Sequence, residues 1–292
     1  MLSLLVSQQA IFSSVPVGGQ TRTLTNGLAF PVVSFGLQVY DDDTAEAYTK
    51  IAVAAGIRNF FTSVLAGNQV GFGAAIANVT SGPSAVARKD LFICGSVNSG
   101  GACSGKADCQ TQTAAGCVSN MAATKLKYLD MIMLDYPAGD CDSIQGQWLA
   151  FEAMLKAGTT KSIAVSNFTP EQIDCLIAAK MTAPVVNQMP YSVGSGSNTV
   201  VADDAQRGVV VQAYSPLGGG GLVSDPDCVA IGKAHGKSAA QVALRWIVQR
   251  NGTFTTSAST AQYFKEDVDI FDFALSATEM ATLTAKSALL QN

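Results

Sequence analysis

The sequence predicts a (β/α)8 barrel, and three observations carry that prediction. Three short apolar runs, SIAVSNF (162–168), PVVNQ (184–188) and VVVQAYSPLG (209–218), are β-branched and gather their polar residues at their C-terminal ends, as buried parallel strands do. From residue 32 onward, runs of this kind alternate with helical stretches at βα spacing. The composition, 48% hydrophobic and 14% charged over 292 residues, suits strands covered on both faces around one large core. In such a barrel the C-terminal strand ends form the binding face, so Ser166, Asn167, Gln188, Tyr214 and Ser215 are expected to converge on one mouth.

Taken in order, the chain opens with MLSLLVSQQAIFSSV, apolar and Ser-rich, with no Lys or Arg before Arg22. Residues 1–20 therefore stand apart from a barrel over 21–292, either as the remnant of a cleaved leader or as an arm packed on the barrel. Asn26-Gly27 between two short apolar runs is a strong hairpin signal. Strands are expected near 32–36, 59–62, 91–96, 129–134, 162–166, 185–188, 209–213 and 253–256. Helices are expected near 44–55, 68–78, 109–126, 146–157, 169–179, 199–206, 227–249 in two pieces, 261–268 and 276–286. Thr169-Pro170-Glu171 puts proline at a first helical position, and Ser276 with Glu279 forms a capping box.

Composition excludes several function classes. A net charge of −4 with scattered Lys and Arg leaves no basic footprint for nucleic acid. No stretch reaches the roughly 18–20 apolar residues of a membrane-spanning helix. The single histidine, His235, sits at a helix end and supports neither a histidine metal site nor a triad. Asp41-Asp42-Asp43 reads as a helix N-cap, with a cation site shared with Asp135, Asp140 and Asp142 as the alternative. The glycines at 218–221 read as a flexible loop, since no G-x-x-x-x-G-K-[ST] pattern accompanies them.

The segments LTNGLAFPVVSFG (24–36), AVAAGIRNFF (52–61), ARKDLFI (87–93), LKYLDMIML (126–134), SAAQVALRW (238–246) and IFDFALSATEM (270–280), with the three runs above, resemble the aldo-keto reductase family in order and spacing. The resemblance implies a TIM barrel whose N-terminal hairpin caps the bottom, and an NADP-dependent oxidoreductase ancestry. It assigns the nicotinamide to Ser166, Asn167, Gln188 and a stacking Tyr214, and the rest of the cofactor to Ser215, Leu217 and Ser257. The family's chemistry uses an Asp, a Tyr, a Lys and a His: the tyrosine protonates a carbonyl oxygen, and the other three tune it and orient substrate. Those positions fall here on Phe61, Ala66, Ser96 and Asp135. None of the four can repeat its counterpart's role, so the expectation is a catalytically inactive binding or structural subunit. The alternative is a nicotinamide-dependent oxidoreductase acting on a small carbonyl compound through a different proton donor, with Tyr136 or Tyr40 as candidates.

The phosphate end departs as well. The family's Pro-Lys-Ser becomes Thr255-Thr256-Ser257, and its following arginine falls on Gln262 or Tyr263, with Lys265 as a possible substitute beside Glu266-Asp267. Losing two cations forfeits roughly 1.5–3 kcal/mol each at a phosphate, so the cofactor is expected to be absent or weakly bound NAD(P)H without preference for the 2′-phosphate. Ser166, Asn167 and Gln188 can equally persist by satisfying one another.

Seven cysteines occur, and Cys103, Cys109, Cys117 and Cys141 cluster along a Gly/Ser-rich segment at 98–120 and just beyond it. Pairs 103–109 and 117–141 are expected among three possible pairings, with Cys94, Cys175 and Cys228 isolated. Such staples favour an oxidising, lumenal or secreted location over cytosol. Only SALLQN follows Lys286, where the resembled family continues with a loop over the mouth. The mouth is therefore expected to be open, or covered by the 98–120 segment or by another protein.

Overall fold

Alternating inward and outward side chains build the interior before any helix is considered. The structure, a computed structural model, describes residues 20–98, 102–195 and 199–289. The segment 1–19, and with it the choice between leader and arm, lies outside the described residues. A hairpin comes first: β1 (Thr21–Thr23) pairs antiparallel with β2 (Ala29–Pro31), and Gly27 turns the chain at φ 84°, a conformation glycine adopts without strain. Eight parallel strands then close a barrel: β3 (Val33–Gly36), β4 (Asn59–Thr62), β5 (Phe92–Val97), β6 (Met131–Leu134), β7 (Ile163–Ser166), β8 (Val186–Pro190), β9 (Val210–Tyr214) and β10 (Thr253–Thr256). Each pairs with its neighbours in sequence, and β10 returns to β3.

The pleat sorts the residues into two cores. Phe61, Phe92, Cys94, Met131, Met133, Ala164 and Val186 fill the barrel interior, while a larger cluster lies between strands and helices. Leu24 and Phe30 from the hairpin join the interior cluster, with Phe30 edge-on to Phe92 at 5.0 Å. The hairpin thus plugs the bottom, held also by the Arg22 guanidinium donating to the Val248 carbonyl at 2.9 Å.

The outer layer is α1 (Asp42–Ala54), α2 (Gln69–Val79), α3 (Lys106–Thr124), α4 (Cys141–Ala157), α5 (Pro170–Ala178), α6 (Val200–Ala205), α7 (Pro226–His235), α8 (Ala239–Gln249), α9 (Ala261–Val268) and α10 (Ala277–Leu289). Capping explains the starts. Asp41 accepts from the Thr44 amide, Thr169 and Gln172 form a capping box behind Pro170, and Ser276 and Glu279 exchange bonds. The acidic run at 41–43 is thus a helix start, with Asp42 also accepting from the Gly71 amide. His235 ends α7, and its Nε2 lies 2.9 Å from Glu279 Oε1.

Two expected helix starts shift. α4 begins at Cys141 rather than near 146, because Asp140 caps it through the Ser143 amide. α3 begins at Lys106 rather than near 109, so the helix takes up more of the 98–120 segment than expected. Glycines 218–221 are not a loop: Gly218–Ser224 forms 3-10 turns with positive φ at Gly218, Gly219 and Gly220.

The disulfides correct one expected pair. Cys103–Cys109 is present, but Cys141 pairs with Cys175, and Cys117 is a free, buried thiol. Cys117 lies with Thr113 and Asn120 on the packed side of α3, whereas Cys141 opens α4 directly beside the neighbouring helix α5, which carries Cys175. Cys175 is therefore not isolated, while Cys94 and Cys228 are buried and unpaired as expected.

Candidate functional site

The first half of the mouth follows β4, β5 and β6. Phe61 points into the barrel interior and is buried among Cys94 and the methionines of β6. Ala66 lies half-buried in the turn after β4, its amide donating to the Ser63 carbonyl at 3.2 Å. That turn is pinned by Asn68, whose amide nitrogen donates to the carbonyls of Leu37 and Tyr40. Ser96 accepts from the Val64 amide at 3.1 Å and donates to Asp135 Oδ2 at 2.9 Å. Asp135 is only 5% exposed, and no Lys or Arg among the described residues pairs with it. Burial pushes its carboxyl up to about 7, against the opposing pull of the Ser96 hydroxyl. Tyr136 beside it is exposed, whereas the Tyr40 hydroxyl is spent on the Ala258 carbonyl at 2.9 Å and is raised by burial to about 12.

The second half gathers residues from β7, β8 and β9. Ser166 Oγ donates to the Gln188 carbonyl at 2.8 Å. Asn167, in the left-handed region at φ 62°, donates to the Asp135 carbonyl at 3.0 Å and to Ser166 Oγ at 3.1 Å, and accepts from the Tyr214 hydroxyl at 2.9 Å. Asparagine is among the few residues that adopt this conformation readily. Gln188 donates across the interior to Gln212 Oε1 at 2.8 Å. Ser166, Asn167, Gln188 and Tyr214 do converge, and they converge on one another. Ser215 stands apart, exposed at φ 50°. The sequence reading missed Gln212, although a lone amide two residues before Tyr214, on the same strand face, was the available signal. It also missed the buried Asn187–Asp204 bond of 2.9 Å behind the mouth.

Beyond Ser215 runs a groove of about 540 Å³, lined by Leu217, Gly219, Ser238, Ser257, Tyr263 and the carboxyl-bearing Glu266 and Asp267, among others. Thr256 Oγ1 donates to Asp267 Oδ2 at 2.6 Å, and burial raises the Asp267 carboxyl to about 7 against that bond. Gln262 turns to Glu266 Oε1 at 3.0 Å, and Lys265 is exposed rather than part of the lining. Among the described residues no Lys or Arg lines the groove and two carboxyls do, so the residues present do not fit the 2′-phosphate of NADPH.

Comparison with known proteins agrees with the fold. The sequence profile of the Aldo/keto reductase family matches residues 32–288. An aldo-keto reductase of Mycolicibacterium vanbaalenii is 31% identical over 264 residues, 90% of each chain. Morphine 6-dehydrogenase of Pseudomonas putida is 29% identical, covering 89% of this chain and 88% of its own. The crystal structure of an aldo/keto reductase from Brucella melitensis superposes with a TM-score of 0.82 at 28% identity, covering 91% of this chain and 98% of that one.

Proposed function

Because the chain belongs to the aldo/keto reductase family, we propose that it keeps the family's barrel without the family's carbonyl chemistry, and acts as a binding or structural subunit whose partner covers the mouth. The observation that carries this reading is the Ser96–Asp135 pair, at the positions matched to the family's lysine and histidine. Hydride delivery to a carbonyl builds an alkoxide, which needs donors and positive charge. A buried carboxyl beside a hydroxyl that already donates to it supplies neither when ionised. Phe61 and Ala66 bring no proton at all. The groove's carboxyls support the companion proposal that nicotinamide cofactors bind weakly and without preference for the 2′-phosphate. The two disulfides support an oxidising, lumenal or secreted location.

The deciding experiment titrates NADH and NADPH by calorimetry and assays a panel of small aldehydes and ketones. Weak, matched binding and no turnover are expected. Brisk NADPH-dependent turnover would refute the proposal. Ala66→Tyr alone should not restore activity, since an unassisted tyrosine keeps a pKa of roughly 10.

A second reading, an oxidoreductase with a non-standard donor, is favoured by one observation: a carboxyl raised to about 7 is partly protonated at neutral pH and sits at the mouth. Relatives named as a reductase and a dehydrogenase are consistent with it. If it holds, Asp135→Asn abolishes turnover and leaves NADH binding unchanged.

A further inference from the structure

The sequence holds three Asn-x-Thr triplets: Asn78-Val79-Thr80, Asn167-Phe168-Thr169 and Asn251-Gly252-Thr253. Such a triplet, without proline at its centre, is the acceptor motif for N-linked glycans in chains that enter a secretory compartment. The motif alone is common, so the fold must separate usable copies from unusable ones.

The structure does separate them. Asn78 is the penultimate residue of α2 and is exposed; Asn251 lies in the turn just before β10 and is exposed. Among the described residues neither side-chain amide has a hydrogen-bond partner, so a sugar on Nδ2 would displace nothing. Asn167 is the opposite case. Its amide nitrogen donates to Asp135 and Ser166, its oxygen accepts from Tyr214, and Phe168 beside it is 1% exposed. A glycan there would break the network that joins the two halves of the mouth.

The two open sites also share a face. α2 runs away from the mouth, so Asn78 near its C-terminal end lies at the bottom of the barrel, and Asn251 precedes a strand at that same end. The mouth and the groove beside it stay uncovered. A second, independent feature points to the compartment where such transfer occurs: two disulfides staple the loops and helices on the mouth side.

We propose that Asn78 and Asn251 carry N-linked glycans, and that folded molecules carry none at Asn167. In the transfer, the asparagine Nδ2 forms a bond to C1 of a lipid-linked oligosaccharide diphosphate. The C1–O bond breaks, the lipid diphosphate leaves with the electron pair, and the amide gives up one proton; nothing is oxidised or reduced. Thr253 is fully buried, with its hydroxyl bonded to the Val211 carbonyl at 3.1 Å, so transfer to Asn251 must precede closure of β10 into the barrel. This inference rests on the oxidising location proposed above and does not depend on whether the barrel is catalytic.

The test passes the full chain through the secretory pathway of a eukaryotic host behind a cleavable leader. Intact mass is read before and after a glycan-releasing amidase, and glycopeptides are mapped from secreted and retained chains alike. Two glycans are expected, one lost in Asn78→Gln and the other in Asn251→Asp, which keeps a residue suited to the φ of 66° at that position. Protein that has formed both disulfides while Asn78 and Asn251 stay bare would overturn the proposal. So would a folded, secreted chain with a glycan on Asn167. A glycan on only one of the two exposed sites would overturn the other half.

Discussion

Between β4 and β6 the mouth holds a phenylalanine, an alanine and a buried acid–hydroxyl pair, whereas between β7 and β9 it holds a hydrogen-bonded chain of amides and hydroxyls. The two halves handle polar groups differently. In the second, each of Ser166, Asn167, Gln188 and Tyr214 has found a partner, so the polar groups sit at little cost. In the first, Asp135 has one short bond and, among the described residues, no cation, and burial raises its pKa. Polar groups at the mouth thus cost little where neighbours satisfy them, and shift their ionisation where burial leaves them short of partners.

Four measurements would break or sharpen that comparison. The largest effect concerns chemistry: carbonyl reduction should lie at least about 10²–10⁴-fold below that of a family member with the full tetrad, in steady-state assays. Turnover near a relative's rate would erase the difference between the halves.

Next comes Asp135→Asn. The folded carboxyl ionises near 7 and the unfolded one near 3.8. The folded state therefore holds the extra proton between those values. Stability should fall as pH rises from about 4 to about 7, by at most on the order of 4 kcal/mol. Asparagine can still accept from Ser96, so the variant should gain thermal stability over the parent at pH 8 and match it near pH 4. Asp267 in the groove follows the same sign, and Asp267→Asn measures how much of the pH dependence belongs to the other side of the mouth.

A third test separates the halves mechanically. Cys141–Cys175 joins α4, which follows β6, to α5, which follows β7, across 34 residues. Replacing both cysteines with serine should cost about 2–4 kcal/mol in denaturant unfolding, more than opening the six-residue Cys103–Cys109 loop. Smallest of the four, Tyr214→Phe removes one donor to Asn167 and should cost about 0.5–1.5 kcal/mol. A larger loss would mean that the network acts as one cooperative unit.

Much of this architecture is local and so could be read from the residues in order. The strands carry their β-branched runs, Asn26-Gly27 makes its hairpin, and the caps at Thr169 and Ser276 need only side chains three residues apart. Convergence of Ser166, Asn167, Gln188 and Tyr214 also followed from the sequence, because parallel strands bring their C-terminal ends to one face. Tertiary structure alone decided what those residues do once they meet. Gln188 finds Gln212, and Asn167 finds Tyr214, through register and pleat rather than through spacing. Cys141 bonds Cys175 rather than Cys117 because neighbouring helices set the distance between sulfurs and sequence separation does not. The charge state of Asp135 was equally hidden, since a carboxyl's pKa depends on the groups packed around it and the hydroxyl bonded to this one, Ser96, lies 39 residues away in the chain.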